Sequence, residues 1–200
     1  QAQKPVLVVG QGVRLGGAVP QFLQVLDKFK LPVLTARLGM DMIEYDHPSF
    51  IGHPGHFGTK PAWYVLDEAD LVLVVGCRLS SETVNHDPGK RAKKAKIVLV
   101  DLDKKELQKY GNKIAIKMHT SAKEFFNKLL KCDFAVPQDW LIQCQQWKHH
   151  VPMVTQEMRR ERPINSYIFI ERLSELAHSK DIVIVDTGSC FHVAAQVWKI

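Results

Sequence analysis

The sequence predicts an α/β fold: a doubly wound parallel sheet of Rossmann-like type, then a linker, then an incomplete second α/β domain. Two observations lead there. Short β-branched apolar runs recur along the first two thirds of the chain, apolar throughout rather than alternating, as expected of strands covered on both faces. Helical patterns lie between or after these runs, and strand–helix alternation marks a parallel sheet sandwiched between helices.

The elements follow in order. PVLVVG (Pro5 to Gly10) reads as the first strand, and the glycine-rich turn GQGVRLGG comes after it. AVPQFLQVLDKFK carries Phe22, Leu23, Leu26 and Phe29 at helical spacing. LPVLTA (Leu31 to Ala36), DLVLVVGCRL (Asp70 to Leu79) and KIVLVDLD (Lys96 to Asp103) read as further strands, and KIAIKM (Lys113 to Met118) as a weaker fifth. KPAWYVLDEA and SAKEFFNKLLK supply helices. Residues 1–131 are thereby expected to fold as a unit. From Cys132 the pattern shifts to charge, amide and proline, and 132–162 reads as a linker with one helix, anchored by Trp140 and Trp147. Residues 163–200 read as a helix (Ile164 to Lys180), a strand DIVIVDTG and the start of another helix. Three such elements bury too little to stand alone, so further chain is expected to complete that second domain.

Composition narrows the class. The chain is 46% hydrophobic and 24% charged, ordinary for a soluble globular protein. No apolar run approaches the roughly 20 residues that span a bilayer, and the opening residues lack a signal-peptide layout, so no membrane is expected. Cys77, Cys132, Cys144 and Cys190 form no CxxC pair. Reduced thiols in a cytoplasmic protein are expected, with neither a disulfide framework nor a cysteine zinc site. The net charge of +6 is densest in KRAKKAK, Lys90 to Lys96. With no aromatic interleaving or recognised motif there, this reads as a solvated segment and nucleic acid is not an expected partner.

Several residues are candidates for binding. Gly10, Gln11 and Gly12 stand where the first strand turns into a helix, a place where backbone can approach a phosphate; a plain tight turn is the alternative. Leu15 occupies the third glycine position of a dinucleotide fingerprint. Asp101 ends a strand, where it could accept from ribose hydroxyls or serve as a helix cap, a role better suited to Asp103. Arg78 follows another strand and suits either a phosphate or a structural ion pair. IGHPGHFGTK holds three glycines, with His53 and His56 and with His47 nearby. Without a completing carboxylate or cysteine this reads as a loop close to a ligand, and no metal site is assigned.

Taken together, VLVVGQGVRLGGA, LPVLTARLGM with DHPSFIGHPGHFGTKPA, EADLVLVVGCRLS and AKIVLVDLDKKELQK resemble the middle domain of thiamine diphosphate-dependent enzymes of the acetolactate synthase type. The likeness continues through DWLIQCQQWKHHVP into INSYIFIERLSELA and IVIVDTGSCFHVAAQ, which look like the start of that family's diphosphate-binding domain. The resemblance implies a parent enzyme that makes or breaks a carbon–carbon bond next to a carbonyl, using thiamine diphosphate and Mg and a 2-keto acid or related substrate. It further implies a cytoplasmic homodimer or homotetramer. The activating glutamate and the Gly-Asp-Gly-type metal motif of the family are absent from these 200 residues, so the chain by itself is expected to be non-catalytic.

The resemblance also places Gly10, Gln11, Gly12, Gly39, Gly55, Gly76, Arg78 and Asp101 at positions of the family's FAD site, and Gly188, Ser189 and Cys190 at a diphosphate contact. Departures accompany these matches. LSSETV replaces an acidic-and-basic stretch, His56-Phe57-Gly58 a Met-His-Gly, and Thr120-Ser121-Ala122 a Gly-Asp-Ala. A relative that lacks FAD, or binds another nucleotide or none, is the expectation. The alternative function is an ADP-, coenzyme A- or NAD-binding module without thiamine chemistry. A sirtuin-type deacylase is disfavoured by the cysteine spacing.

Overall fold

The computed structural model describes residues 2–79, 92–178 and 180–199. Its centre is a six-stranded, all-parallel sheet formed by β1 (Pro5–Val9), β2 (Val33–Thr35), β3 (Phe50–Gly52), β4 (Leu71–Val75), β5 (Lys96–Asp101) and β6 (Ile116–His119). The strand order is β3-β2-β1-β4-β5-β6, so the chain winds outward from β1 in one direction and from β4 in the other. Right-handed crossovers then put helices on opposite faces of the two halves. Every residue of β1 is buried, which is why PVLVV contains no polar residue.

The flanking helices show their causes in the sequence. In α2 (Val19–Phe29) a proline opens the first turn, and Phe22, Val25, Leu26 and Phe29 bury one face. The helix ends at Lys30, whose left-handed backbone lets its N–H reach Leu26 O at 2.8 Å. Asp103 caps α4 (Lys104–Gln108) by accepting from Lys105 N at 2.8 Å. Ser121 caps α5 (Ala122–Leu130) by accepting from Glu124 N. The short α1 (Gly12–Leu15) and α3 (Lys60–Glu68) complete this part. No helix among the described residues is long and apolar enough to cross a membrane.

Three features differ from the sequence expectations. β3 runs into the stretch read as a glycine loop, and its Phe50 and Gly52 pair with Val33 and Leu34 of β2. The core also continues past Lys131. In α6 (Gln138–His150) Trp140, Leu141 and Cys144 are buried in the same cluster as the sheet, and Trp140 Nε1 donates to Pro5 O at 2.9 Å. Phe134 stacks on Phe29 at 4.0 Å. The linker is thus packed chain. Finally, DIVIVD forms no strand: no described strand lies beside it, and Ile182 and Ile184 are 89% and 91% exposed. An extended run becomes a strand only when a neighbour accepts its ladder bonds. The described tail is instead a helix pair, α7 (Ser166–Leu176) and α8 (Ser189–Val197), tied by Tyr167 Oη donating to Gln196 Oε1 at 2.6 Å.

Candidate functional site

Because β1 and β4 are neighbours with crossovers leaving in opposite directions, the chain opens a crevice at their carboxyl ends, the usual ligand position in such sheets. Both strands end in glycine there, and the two turns interlock. A Cβ on Gly10 would stand 2.5 Å from Gly76 O and Cys77 Cα, and one on Gly12 would stand 2.8 Å from Gly76 Cα. Gly76 itself has a positive φ of 55°, and its own Cβ would meet Gly12 C at 2.8 Å. The amides of Gly10 and Gly12 are used in this contact, donating to Val75 O and Gly76 O, while Gly76 N donates to Val100 O of β5, at 2.9–3.1 Å. The tight-turn reading offered for Gly10 and Gly12 is thus met by their packing against Gly76.

A cleft of about 830 Å³ opens above these turns, lined by Gly10, Gln11, Gly12, Gly76, Arg78 and Asp101 of the sequence-derived set. Asp101 accepts from Asp103 N at 2.9 Å and so braces the turn into α4. Arg78 points largely to solvent, with Nε 3.5 Å from Glu106 Oε1; Lys109 reaches the same oxygen at 2.6 Å. The structural ion pair considered for Arg78 is therefore present. Gly39 does not line the cleft but packs beneath it, where its Cβ would come within 3.3 Å of Gly10 C. Gly55 holds a positive φ of 108°, and its carbonyl accepts from Trp63 Nε1. Gly188, Ser189 and Cys190 are exposed at the start of α8 and are not brought into the cleft. LSSETV lies outside the described residues apart from Leu79, as do Lys90 and Arg91 of the basic run.

The far wall of the cleft joins Phe57, named from the sequence only as a departure, to Arg37, Phe191 and His192, which sequence reasoning did not single out. Arg37 lies over the Phe191 ring at 4.7 Å and the Phe57 ring at 5.8 Å. Its Nη2 is 3.4 Å from His192 Nδ1, and Phe57 stacks on His192 at 3.7 Å. Gln196 Nε2 donates to Gly58 O at 3.2 Å. Helix α8 is thereby seated on the rim formed by the loop after β3. The signal was faint: one aromatic between glycines in HFG, and a phenylalanine–histidine pair some 130 positions later.

His53 sits deepest. Its Nδ1 is 2.9 Å from both Thr35 O and Thr35 Oγ1. Its backbone N–H donates to Thr59 Oγ1 at 3.1 Å. Burial pushes the imidazole down to about 4, against the opposing effect of the Thr35 hydrogen bond. No group of three or more histidine, cysteine or acidic residues among the described residues is placed to hold a metal.

A parallel sheet in this order, with glycine turns at its switch point, defines a doubly wound α/β domain. More narrowly, the chain belongs to the thiamine pyrophosphate enzyme central-domain family, whose model matches residues 1–129. Among curated proteins it is 30% identical over 192 residues to a probable acetolactate synthase large subunit of Methanocaldococcus jannaschii, covering 94% of this chain and 32% of that protein. It is 29% identical over 201 residues to the acetolactate synthase isozyme 2 large subunit of Escherichia coli, covering 98% of this chain and 35% of that protein. A sulfoacetaldehyde acetyltransferase of Castellaniella defragrans is 34% identical over 109 residues, covering 54% of this chain and 18% of that protein. The chain spans about a third of the length of the relatives that it matches nearly end to end.

Proposed function

We propose that this chain is the central portion, with the beginning of the following domain, of a thiamine diphosphate-dependent enzyme of acetolactate synthase type. The whole protein makes or breaks a carbon–carbon bond next to a carbonyl, acting on a 2-keto acid or related compound. The observation that carries this reading is the match of the central-domain model to residues 1–129, extended by relatives that align through the linker and tail. Residues 1–131 serve as the central domain, 132–162 as the linker and 163–200 as the start of the diphosphate-binding domain. Free cysteines fit a cytoplasmic protein, and the parent assembles as a homodimer or homotetramer.

Bound thiamine diphosphate would supply the electron sink for a carbanion next to the carbonyl. In this chain Gly188, Ser189 and Cys190 are the residues that would meet it. Gly188 holds a positive φ of 109° with open space about its α-carbon, and the first amides of α8 have no helical acceptor. That fits one end of a diphosphate. The Mg of the parent is held by residues outside the present set. The chain supplies a scaffold and one wall, and turnover requires the rest of the enzyme.

The test has two arms. The protein in its full reading frame, given pyruvate, thiamine diphosphate and Mg, is expected to form acetolactate or another carbon–carbon coupled or decarboxylated product. The 200-residue chain is expected to form none. A full-length protein with no thiamine-dependent turnover on any 2-keto acid would overturn the assignment, and turnover by the short chain would overturn its role as scaffold.

For the central cleft we propose weak or absent FAD binding and a colourless protein. The amides of Gly10, Gly12 and Gly76 are already bonded to backbone, and Arg78 is shared with Glu106. ADP or a coenzyme A nucleotide would meet the same surface about as well. Two or three missing polar contacts correspond to roughly ten- to a thousandfold weaker binding. Flavin fluorescence titration, compared with ADP, measures this; a yellow protein as isolated would restore the flavin assignment.

A further inference from the structure

Residues 92–131 form one edge of the sheet domain. β5, α4, β6 and α5 follow one another there, and β6 is the outermost strand, paired with β5 alone. This fifth of the chain contains eleven lysines, no arginine and four acidic residues, so the whole formal excess of +6 resides in it. The four carboxylates are committed within the fold. Asp101 accepts from Asp103 N, Asp103 caps α4, and Glu106 and Glu124 pair with Lys109 and Lys128 at 2.6 and 2.7 Å. Lys93, Lys96, Lys104, Lys105, Lys117 and Lys123 are exposed and have no ion pair among the described residues. Two large apolar side chains stand in the same unit, Leu102 at 69% exposure and Ile116 at 55%. His119 Nε2 is 3.0 Å from Leu102 O, which ties the end of β6 to the turn that carries Leu102.

We propose that this edge is a peripheral docking surface for a membrane leaflet rich in anionic lipid. The lysines meet the negative headgroups, and Leu102 and Ile116 enter the interfacial layer. A sheet approached edge-on presents its outermost strand and the helices beside it, so a flat anionic surface meets this unit ahead of the rest of the domain. Each lysine brought close to such a surface contributes about fivefold in affinity, and salt screens the effect. Exposed apolar side chains set among lysines are the composition of an interfacial contact, which needs no spanning helix. The surface is independent of the thiamine reading.

Two other readings of these lysines fit less well. Edge strands often carry lysine to block the addition of a further strand, and Lys117 serves that purpose on β6. The others lie on helices, a turn and the inner strand β5, where there is no free ladder to block. Nucleic acid is read by arginine forks and stacking aromatic rings. This unit has no arginine, its two phenylalanines are buried, and the Tyr110 hydroxyl donates to Leu79 O. Lysine is a compact point charge, suited to a diffuse anionic surface with no fixed geometry.

The experiment co-sediments the 200-residue chain, and the protein in its full reading frame, with phosphatidylcholine vesicles that contain or lack about 30 mol% phosphatidylserine. Both proteins are expected to bind the anionic vesicles at about 0.1 M salt and to lose at least about tenfold in affinity at about 0.5 M. Neutral vesicles should leave them in solution. Lys117→Gln combined with Lys123→Gln should cost at least about tenfold. Lys60→Gln combined with Arg160→Gln makes the same change of charge at exposed sites outside the edge, and should cost less than about threefold. Leu102→Ser should weaken the binding that survives at high salt, and circular dichroism checks that each variant is folded. Equal binding to neutral vesicles, equal losses in the two pairs, or a full-length protein that leaves the vesicles unbound would overturn the proposal. So would tighter binding to duplex DNA or poly-glutamate than to the vesicles at matched anionic charge, which would assign the surface to another class of partner.

Discussion

The imidazole of His192 stacks on the ring of Phe57 with centroids 3.7 Å apart and planes 25° apart. The two residues are far apart in sequence, and this contact with Arg37 and the Gln196–Gly58 hydrogen bond holds α8 on the sheet domain. Replacing His192 with Ala should weaken the docking by about 0.5–1.5 kcal/mol. The check is limited proteolysis within 155–165: faster cutting in the variant at an unchanged melting temperature of the sheet domain is expected. An unchanged cutting rate would mean that α8 is held by other contacts.

Gly76→Ala should be among the most damaging single-methyl changes in the chain. The added carbon would meet backbone on the neighbouring turn at 2.8 Å, and the positive φ disfavours any side chain. A loss of at least about 2 kcal/mol is expected by urea denaturation. Gly17→Ala is the control: its φ is also positive, at 60°, but nothing lies within 4 Å of the new atom. Its cost should stay near about 1 kcal/mol. Equal losses at both sites would show that backbone strain, not the interlocked turns, governs.

Truncation after Lys131 should yield an unstable product, and truncation after Val151 a stable one. The longer piece keeps Trp140, Leu141 and Cys144, which are buried in the sheet's core. Loss of a buried tryptophan alone costs about 3–5 kcal/mol. Thermal unfolding followed by circular dichroism separates the two, and a cooperative transition in the shorter piece at the same temperature would contradict the packing.

Stability should fall on mild acidification because of His53. Its folded value of about 4 lies below the ordinary 6.5. Between these values the unfolded chain binds more protons than the folded one, so stability rises with pH across that window and is lost as pH falls through it. The largest contribution is about 3 kcal/mol. Urea midpoints at pH 7 and pH 5 should differ, and His53→Asn should flatten the difference. A variant with the same pH dependence as the wild type would place the titrating group elsewhere.

Much of this molecule was legible in its sequence. β1, β4 and β5 are runs of valine, leucine and isoleucine, a pattern that buried parallel strands require. Phe22, Leu26 and Phe29 recur at helical spacing and bury the face expected of α2. Gly10, Gln11, Gly12, Gly76, Arg78 and Asp101, named from the sequence, do meet in one cleft, because strand ends at a switch point converge in this topology. The tertiary structure alone decided the rest. Phe50–Gly52 is too short and too rich in turn residues nearby to announce a strand, and becomes one by pairing with β2. DIVIVD has strand composition and remains unpaired, because the ladder bonds that make a strand come from a neighbour. That the turns after β1 and β4 interlock through Gly10, Gly12 and Gly76 depended on the spacing of those strands. Local composition records which face a residue prefers, whereas the partner it meets there is set by chain far away in sequence.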